Sequence, residues 1–579
     1  MMKRFRLSLI VAALSLLATA LLPLNAAAVW TPLYAFVGSG SSAQFNSYAY
    51  AFASPTGGQY CGAHYWTHSS TLSATGAQIH DGRDGTSIPD EPGKVIIAWD
   101  DNAAAGTAGL GTVCALVSLD STVGSREYFA HATFVLNSAS GAATDNTQIP
   151  FLTAGEALNA NVAAYLQTSP IMTAALADIR PEDTKMVMIR AQNSAGTKLP
   201  NYYFTGQGYG PNPLGQPIYS SQGSEAFQSV DFVITPGDLD PFTSAAPRTY
   251  VSTSIGAGIV VPIRNNSNTA TGHLGDNTNL SNFNRYGLAQ ALSGNYYSIA
   301  DLAPAQGLTA YPLHVWIREP LSGTYNTMEY CIALNREIYS YNSAFTQFGQ
   351  ESNINPVSCG SCPTGPCSSE CGNPYYHLGS TFGGGTYTRG RTIGTGEMVT
   401  TVNNIADSLG YAYWGYGNFA GKTHVSYSTV DGVDPFWAYP AARTDGGAVY
   451  SMPQCSALPC TAIPFPNVVN GSWPIWNYFR LIYDPASNNG NFVIGLINTV
   501  TNFAANDGFD FVPASKMQVF RSHYSQETTW SGNGQYPNNG IVPAGNSEAG
   551  GDMGGMVLTI QSEIDYYNDT GTQQLQLRQ

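Results

Sequence analysis

Short apolar runs typical of β-strands alternate along this 579-residue chain with segments typical of α-helices. The runs at 33–37, 94–99 and 115–119 are of the first kind, and the segments at 156–167 and 492–503 are of the second. Helices that alternate with strands pack on both faces of a sheet, because each helical connection returns over the sheet to the next strand. The alternation therefore predicts an α/β fold with mixed, mostly parallel sheets.

The N-terminus has the pattern of a secretory signal peptide. Lys3, Arg4 and Arg6 precede an apolar run at 7–22, and small residues at 26–28 offer a cleavage site before Val29. No cysteine stands at that cleavage site, so we expect no lipid anchor, and no later run is long and apolar enough to span a bilayer. We therefore predict a signal peptide at 1–28 and a mature protein that is secreted or periplasmic.

Charged residues are scarce and mostly acidic. They make up 11% of the chain, and the formal net charge is −15 with the signal peptide included. A surface of this sign repels nucleic-acid phosphates, so nucleic acid is excluded as a general partner. A site for a small anion is not excluded, since one buried cation acts at short range while distant surface charges are screened.

Nine cysteines in an exported chain favour disulfides. Cys61 and Cys114 are candidate partners because each lies beside a strand-like run, and Cys455 and Cys460 could close a small loop. Cys331 is predicted to be buried and unpaired. Four more cysteines lie in a Gly-, Pro- and Ser-rich insertion at about 355–375: Cys359, Cys362, Cys367 and Cys371. They could hold zinc or form two disulfides. Their spacing and the exported location of the chain favour the two disulfides.

The most informative motif for function follows an apolar run at 311–317. Arg318 stands at the end of that run, and Ser322, Gly323 and Thr324 form a small-residue turn that leads into a predicted helix. A guanidinium offers two N–H groups to two oxygens at once, and a helix N-terminus adds unpaired backbone donors. The motif therefore predicts an oxyanion site. The alternative is an Arg that binds a neighbouring carboxylate beside an ordinary helix start.

The spacing R-x3-S-G-T resembles the phosphate-binding turn of the periplasmic phosphate-binding proteins that serve ABC transporters, within the type II periplasmic binding protein superfamily. Other segments are similar to that family in the same order, over about 220–525. They are a strand at 229–241, a crossover strand at 250–263, helices at 284–294 and 393–399, strands at 407–414 and 478–483, a helix at 492–503 and a final segment at 511–520.

This resemblance implies two α/β lobes with the ligand cleft between them. Lobe I would comprise residues 29–252, including a large insertion at about 55–220, together with 436–579, which ends in a C-terminal tail. Lobe II would comprise 253–435 and carry the cysteine-rich insertion. Closing of the lobes about a hinge would bury the anion.

The resemblance also implies the ligand residues. Arg318 would be the charge partner and the turn after it would supply donors, while a Gly/Ser loop at 38–45 would close the other side. By position, Ser42 and Ala43 take the places of the Thr and Phe that contact the ligand in the family. The family's Thr-Phe-Pro sequence is not reproduced here, which leaves the identity of the anion open.

An acidic residue would decide which anion binds. The family's strand V-D-F-G-A-S-D-x-P ends in an Asp that accepts a hydrogen bond from phosphate, whereas fully ionised sulfate has no hydrogen to donate and is repelled. The segment 229–241 resembles this strand with two residues inserted, so either Asp238 or Asp240 could hold the role. Asp240 keeps the following Pro, and Asp238 keeps the closer spacing. A turn with two Asx caps is the alternative.

The insertion at about 55–220 fits the family poorly. Within the string at 178–183, we interpret Arg180, Glu182 and Asp183 as a helix start with surface ion pairs. His64 and His68 are four residues apart and could bind a metal, but packing in a loop is favoured because no third ligand is placed. We predict no metal site and no cofactor.

We find no G-x-S-x-G elbow, H-E-x-x-H or Walker loop, and we predict that the protein is not an enzyme. The prediction is a monomeric, exported solute-binding protein that captures phosphate or a similar small oxyanion, with an ABC transporter permease as a possible partner. A carbohydrate-binding or adhesive surface protein is the alternative, since 35 tyrosines suit stacking on sugars. The turn after Arg318 favours the anion.

Overall fold

The computed structural model describes residues within 29–179, 250–332, 381–521 and 557–559, and shorter gaps interrupt these ranges. Its strands in chain order are β1 (Tyr34–Ser41), β2 (His64–Ser69), β3 (Ala77–His80), β4 (Glu91–Pro92), β5 (Lys94–Trp99), β6 (Thr112–Leu119), β7 (Thr133–Leu136), β8 (Ala174–Ala177), β9 (Val251–Asn265), β10 (Asn282–Phe283), β11 (His314–Arg318), β12 (Thr381–Phe382), β13 (Gly385–Thr386), β14 (Thr388–Thr392), β15 (Ser408–Tyr413), β16 (Val425–Tyr427), β17 (Thr429–Val430), β18 (Trp476–Tyr483), β19 (Val512–Pro513), β20 (Val519–Arg521) and β21 (Val557–Thr559).

The helices are α1 (Phe45–Ala53), α2 (Asp101–Ala105), α3 (Ser121–Phe129), α4 (Ala160–Leu166), α5 (Arg285–Leu292), α6 (Ile299–Leu302), α7 (Gly323–Met328), α8 (Gly394–Asn404), α9 (Tyr416–Phe419), α10 (Pro466–Val469) and α11 (Gly490–Asp507). Short 3₁₀ helices span Pro304–Gln306, Pro440–Ala442 and Ala514–Lys516. The alternation of strands and helices confirms the predicted α/β class.

A mixed sheet forms the centre of the molecule. Its strands run in the order β14-β11-β15-β9-β18-β8-β1-β6-β5-β2, and β16 and β19 also pair with β9. β1 pairs in parallel with both β6 and β8, and β11 pairs in parallel with both β14 and β15. The carboxyl ends of each parallel group therefore lie at one edge of the sheet, which is where α/β folds place their ligands.

The long strand β9 belongs to both halves of this sheet. Its residues 251–259 pair with β18, and its residues 260–264 pair with β15. β18 continues through β8 to β1, while β15 continues to β11. The sheet is thus divided into two lobes joined through β9, which is the two-lobe arrangement expected from the sequence.

Part of the segment that the sequence analysis treated as an insertion lies in the core of lobe I. Residues 64–177 supply β2, β5, β6 and β8 to the central sheet. β5 and β6 are almost entirely buried, as are the alanines of β8. Their apolar runs are strand-like because both faces of the sheet are covered here.

The Gly/Ser segment predicted as a loop is mostly strand, because β1 continues to Ser41. A Cβ on Gly40 would lie 2.0 Å from the Leu176 carbonyl oxygen, and Gly40 has a φ of +125° that favours glycine. A Cβ on Gly124 of α3 would lie 2.5 Å from the Gly40 Cα. These two glycines allow α3 to pack directly on β1.

Two disulfides join described residues, with the pairings that the sequence suggested. Cys61 is bonded to Cys114 of β6, and Cys455 is bonded to Cys460. Cys331 is buried and unpaired. The first bond joins the segment after α1 to β6. One turn of the site described below precedes α1, and another follows β6. The four remaining cysteines, at 359, 362, 367 and 371, lie outside the described residues.

Within the described part of the chain, no helix is both long and apolar enough to cross a membrane. The predicted signal peptide at 1–28 lies outside the described residues.

Candidate functional site

Five strands of the two lobes end at one place. In lobe I the residues that follow β1, β6 and β8 include Ser42, Asp120 and Asp178. In lobe II, Arg318 ends β11 and Thr395 follows β14. The two groups are in contact, since Asp120 Oδ1 lies 3.4 Å from Arg318 Nη2 and Ser42 Oγ lies 3.5 Å from Thr395 Oγ1. The strand ends thus enclose a polar site between the lobes.

Arg318 lies at the centre of this site and is 1% exposed. Its Nη1 donates to Thr324 Oγ1 at 3.2 Å and to Thr395 Oγ1 at 3.3 Å. Its backbone N–H donates to the Tyr411 hydroxyl at 3.1 Å, which holds the end of β11 against β15. The guanidinium is therefore fixed in position, with hydroxyl groups on one side and the Asp120 carboxylate on the other.

The turn after Arg318 forms the start of α7, as predicted. Ser322 Oγ accepts the backbone N–H groups of Thr324 at 3.1 Å and Tyr325 at 3.4 Å, so its oxygen caps the helix. A Cβ on Gly323 would lie 2.6 Å from both Cβ and Oδ2 of Asp178. Glycine is required at this position because α7 of lobe II approaches lobe I so closely.

Asp178 is a candidate site residue that the sequence analysis missed. It follows β8 and is 2% exposed, and the sequence analysis assigned it no role. Its Oδ1 accepts hydrogen bonds from Ser41 Oγ and from Gln44 Nε2, the latter at 3.1 Å. Burial raises the pKa of Asp178, while these hydrogen bonds, that of Ser121 and the charge of Arg318 oppose the rise.

The sequence did hold a signal for Asp178. An apolar run at 174–177 ends directly in a carboxylate, which is the same strand-then-Asp pattern that was assigned to 229–241. Asp238 and Asp240 themselves lie outside the described residues. Residues 180–183, for which surface ion pairs were predicted, also lie outside the described residues.

The opposite wall of the site is the turn between β1 and α1. The Ser42 backbone N–H donates to the Leu119 carbonyl at 2.9 Å, so the turn is held to the end of β6. Ala43 is 2% exposed and packs in the hydrophobic core. Thr395, which faces Ser42 from the first turn of α8, was not among the predicted ligands. Its Gly-Thr-Gly context resembles the Gly-Thr pair after Ser322 and was available as a signal.

A buried network of hydrogen bonds connects the elements that carry the site residues. Asn477 of β18 donates through Nδ2 to Thr327 Oγ1 at 2.7 Å, and also to the Asp178 carbonyl. The Tyr413 hydroxyl of β15 donates to Asn477 Oδ1 at 2.6 Å. These hydrogen bonds join α7 and β15 of lobe II to β8 and β18 of lobe I, and they fix the positions of Asp178 and α7 relative to each other.

His64 and His68 lie on β2 and not in a loop. His64 Nδ1 is 2.6 Å from Glu156 Oε1, and its Nε2 is 2.8 Å from Asp101 Oδ1. Among the described residues, no group of three or more His, Cys, Asp or Glu side chains is arranged to hold a metal ion.

No family model matches the chain, and no curated protein sequence matches it. The chain is similar to solved phosphate-binding proteins. One is a phosphate binding protein from Stenotrophomonas maltophilia, with 11% identity, 83% of this chain and 91% of that chain covered, and a TM-score of 0.32. An ABC-type phosphate transport receptor from Vibrio cholerae has 12% identity, coverage of 48% and 75%, and a TM-score of 0.25.

A third similar structure is a putative phosphate ABC transporter substrate-binding protein with bound phosphate from Clostridium perfringens. Its identity is 13%, with 48% of this chain and 76% of that chain covered, and its TM-score is 0.25. Because these sequence identities and TM-scores are low, the ligand of this chain is inferred from its own residues and not from these structures.

We expect Gly323→Ala to weaken any binding of phosphate between the lobes about tenfold or more. The added methyl would lie 2.6 Å from Asp178 Oδ2 and 2.7 Å from Ser121 Oγ, so the lobes would be held slightly apart. Titration calorimetry with phosphate would measure the effect. Gly396→Ala is the matched control, since it also lies in the first turn of a lobe II helix and its Cβ would meet only Lys94 Nζ, at 3.9 Å. Equal effects of the two changes would contradict the expectation.

Proposed function

We propose that this protein is an exported, non-enzymatic solute-binding protein that captures phosphate or a similar small oxyanion in the cleft between its lobes. We further propose that it delivers the anion to an ABC transporter and acts as a monomer. The observation that carries the proposal is the buried Arg318 guanidinium at the meeting point of both lobes, beside the hydroxyl groups of Thr324 and Thr395.

The chemistry of the site suits an anion better than a sugar. A buried cation surrounded by neutral hydroxyls replaces the water around an oxyanion, and hydrogen bonds to a charged group contribute about 1.5–3 kcal/mol each. A sugar site typically presents exposed aromatic faces. Tyr411 and Tyr413 of this site are fully buried and use their hydroxyls in the hydrogen bonds to Arg318 and Asn477.

We assign to Asp178 the acceptor role that the sequence suggested for Asp238 or Asp240. Its carboxylate is buried beside α7, where a bound anion held by Arg318 and Thr324 would meet it. A carboxylate accepts a hydrogen bond from a phosphate hydroxyl but repels an anion that has no hydrogen to donate. This residue would favour phosphate over sulfate.

A binding role is also supported by how Ser322 is used. The Ser322 oxygen has a structural use, because it accepts the backbone N–H groups of Thr324 and Tyr325, and hydrogen bonds accepted by this oxygen make it a weaker nucleophile. The disulfides Cys61–Cys114 and Cys455–Cys460 are typical of an oxidising compartment, which supports export.

Titration calorimetry of the mature chain with phosphate tests the proposal, with sulfate as the comparison. We expect saturable binding of one phosphate, with a dissociation constant of about 1 μM or lower, and sulfate binding at least about 100-fold weaker. Absence of heat with both anions would overturn the proposal. Binding to a panel of glycans in that case would establish the carbohydrate alternative.

A further inference from the structure

The lobes also meet at a second contact, other than the one at Arg318. It is formed by the first turn of α1 in lobe I and by α9 in lobe II. Asn46 Nδ2 donates to Asn418 Oδ1 at 3.2 Å, and a Cβ on Gly417 would lie 2.7 Å from the same Nδ2. α9 comes soon after β15, which pairs with residues 260–264 of β9. The contact therefore lies beside the strand that joins the lobes.

Asp510 lies at this contact and accepts hydrogen bonds from both lobes. It precedes β19, which pairs with residues 256–257 of β9, so its backbone belongs to lobe I. Ser47 Oγ of α1 donates to its Oδ2 at 2.7 Å, and the Tyr416 backbone N–H of α9 donates to its Oδ1 at 3.2 Å. Asp510 is 1% exposed. Separation of α9 from α1 would break the second hydrogen bond and admit water to the carboxyl group.

Burial and solvation act in opposite directions on the protonation of Asp510. A carboxylate costs free energy to bury, so the closed contact favours the neutral acid, whereas access of water favours the carboxylate. Burial raises the pKa of Asp510 from 3.8 to about 7, although its two hydrogen bonds oppose the rise. Closing of the contact is therefore coupled to proton uptake at any pH between these two pKa values.

We propose that Asp510 is a proton-controlled latch between the lobes, whose neutral form holds α9 against α1 and whose ionised form favours their separation. The neutral acid keeps both contacts, because its hydroxyl can donate to Ser47 Oγ while its carbonyl oxygen accepts the Tyr416 N–H. The closed arrangement is thus favoured in acid and weakened as the pH rises. Such a latch acts whichever ligand lies between the lobes, so it goes beyond the proposed function.

Two phenols on the packed elements interact with the charge of Asp510: Tyr50 of α1 and Tyr416 of α9. Burial raises the pKa of both phenols, and the charge of Asp510 contributes to the rise. Both therefore stay neutral below about pH 9. The paired residues of β19 and β9 beside Asp510 do not ionise. A pH dependence of this contact between pH 5 and pH 8 is therefore assigned to Asp510.

The test is hydrogen exchange of the Tyr416 amide in the wild-type mature chain, without ligand, from pH 5 to pH 8. The protection factor, corrected for the intrinsic pH dependence of exchange, reports the free energy of opening at that amide. We expect it to fall about tenfold per pH unit from pH 5 to pH 7 and then to level off. Small-angle X-ray scattering should show a larger radius of gyration at pH 8 than at pH 5. A protection factor independent of pH, or an equal radius of gyration at both pH values, would overturn the latch and leave the proposed function standing.

Asp510→Asn tests the residue itself. The amide resembles the protonated acid at every pH, so we expect the variant to keep at pH 8 the protection and the radius of gyration that the wild type has at pH 5. Asn46→Ala is the matched control, because it removes the neighbouring hydrogen bond between the lobes without removing a titratable group, and should lower protection about equally at both pH values. A pH dependence in Asp510→Asn as steep as in the wild type would overturn the role of Asp510. The wild-type profile tests the latch even where a variant folds poorly.

Discussion

Arg318→Gln is expected to weaken phosphate binding by about 100-fold to 10,000-fold. The change removes a guanidinium that is 1% exposed and lies within hydrogen-bond distance of Thr324 and Thr395. The loss of two charge-assisted hydrogen bonds corresponds to about 3–6 kcal/mol, and about 1.4 kcal/mol is a tenfold change in affinity. Asp120 would also lose its cationic partner, so its carboxylate would repel the anion. Calorimetric titration with phosphate measures the effect.

The matched control is Arg285→Gln. Arg285 is half exposed and pairs with Asp431 on the surface, so its loss removes the same charge from the same lobe without touching the cleft. We expect phosphate binding by this variant to stay within about twofold of the wild type. Binding by Arg318→Gln within about threefold of the wild type, in a variant with an unchanged near-ultraviolet circular dichroism spectrum, would place the anion elsewhere.

The sequence predicted elements whose pattern is local. The apolar run before Arg318 is β11, the turn after it begins α7, and the crossover segment at 250–263 is β9. The predicted helix at 492–503 lies within α11. Each of these depends on periodicity and turn residues within a window of a few residues, which the chain displays directly.

Contacts between lobes could not be predicted in the same way. Asp120 and Arg318 are 198 residues apart, and Ser42 and Thr395 are 353 apart, so no local pattern links them. Asp178 was not recognised as a candidate site residue, because β8 has only four residues and a string of polar residues follows it. Its burial depends on pairing with β1 and β18, which the sequence does not reveal.

A second large effect is expected at Asp510, which lies just before β19 and is 1% exposed. Ser47 Oγ of α1 donates to its Oδ2 at 2.7 Å, and the Tyr416 backbone N–H at the start of α9 donates to its Oδ1 at 3.2 Å. Burial raises the pKa of Asp510 from 3.8 to about 7, although both hydrogen bonds oppose the rise. The carboxylate therefore contacts both α1 and the segment after β15, in an environment that favours its protonated form.

The sign of the pH dependence follows from this shift. Between about pH 4 and pH 7 the folded protein holds the Asp510 proton more tightly than the unfolded chain does, so the stability contribution is fully present below pH 4 and is lost as the pH rises. A difference of about three pKa units corresponds to about 4 kcal/mol. Asp510→Asn resembles the protonated acid, since its amide can donate to Ser47 and its carbonyl can accept from Tyr416.

We therefore expect Asp510→Asn to have nearly wild-type stability at pH 4 and a free energy of unfolding up to about 4 kcal/mol higher than the wild type at pH 8. Urea unfolding of both proteins at each pH measures this difference, and the subtraction removes the titration of all other groups. Asp445→Asn should show the opposite trend. Burial alone would raise the pKa of Asp445, but hydrogen bonds from Arg443 and Gly447 outweigh it and lower the pKa. Its replacement should therefore cost more stability at pH 7 than at pH 3. A difference for Asp510→Asn that does not change from pH 4 to pH 8 would show that Asp510 titrates normally in the folded protein.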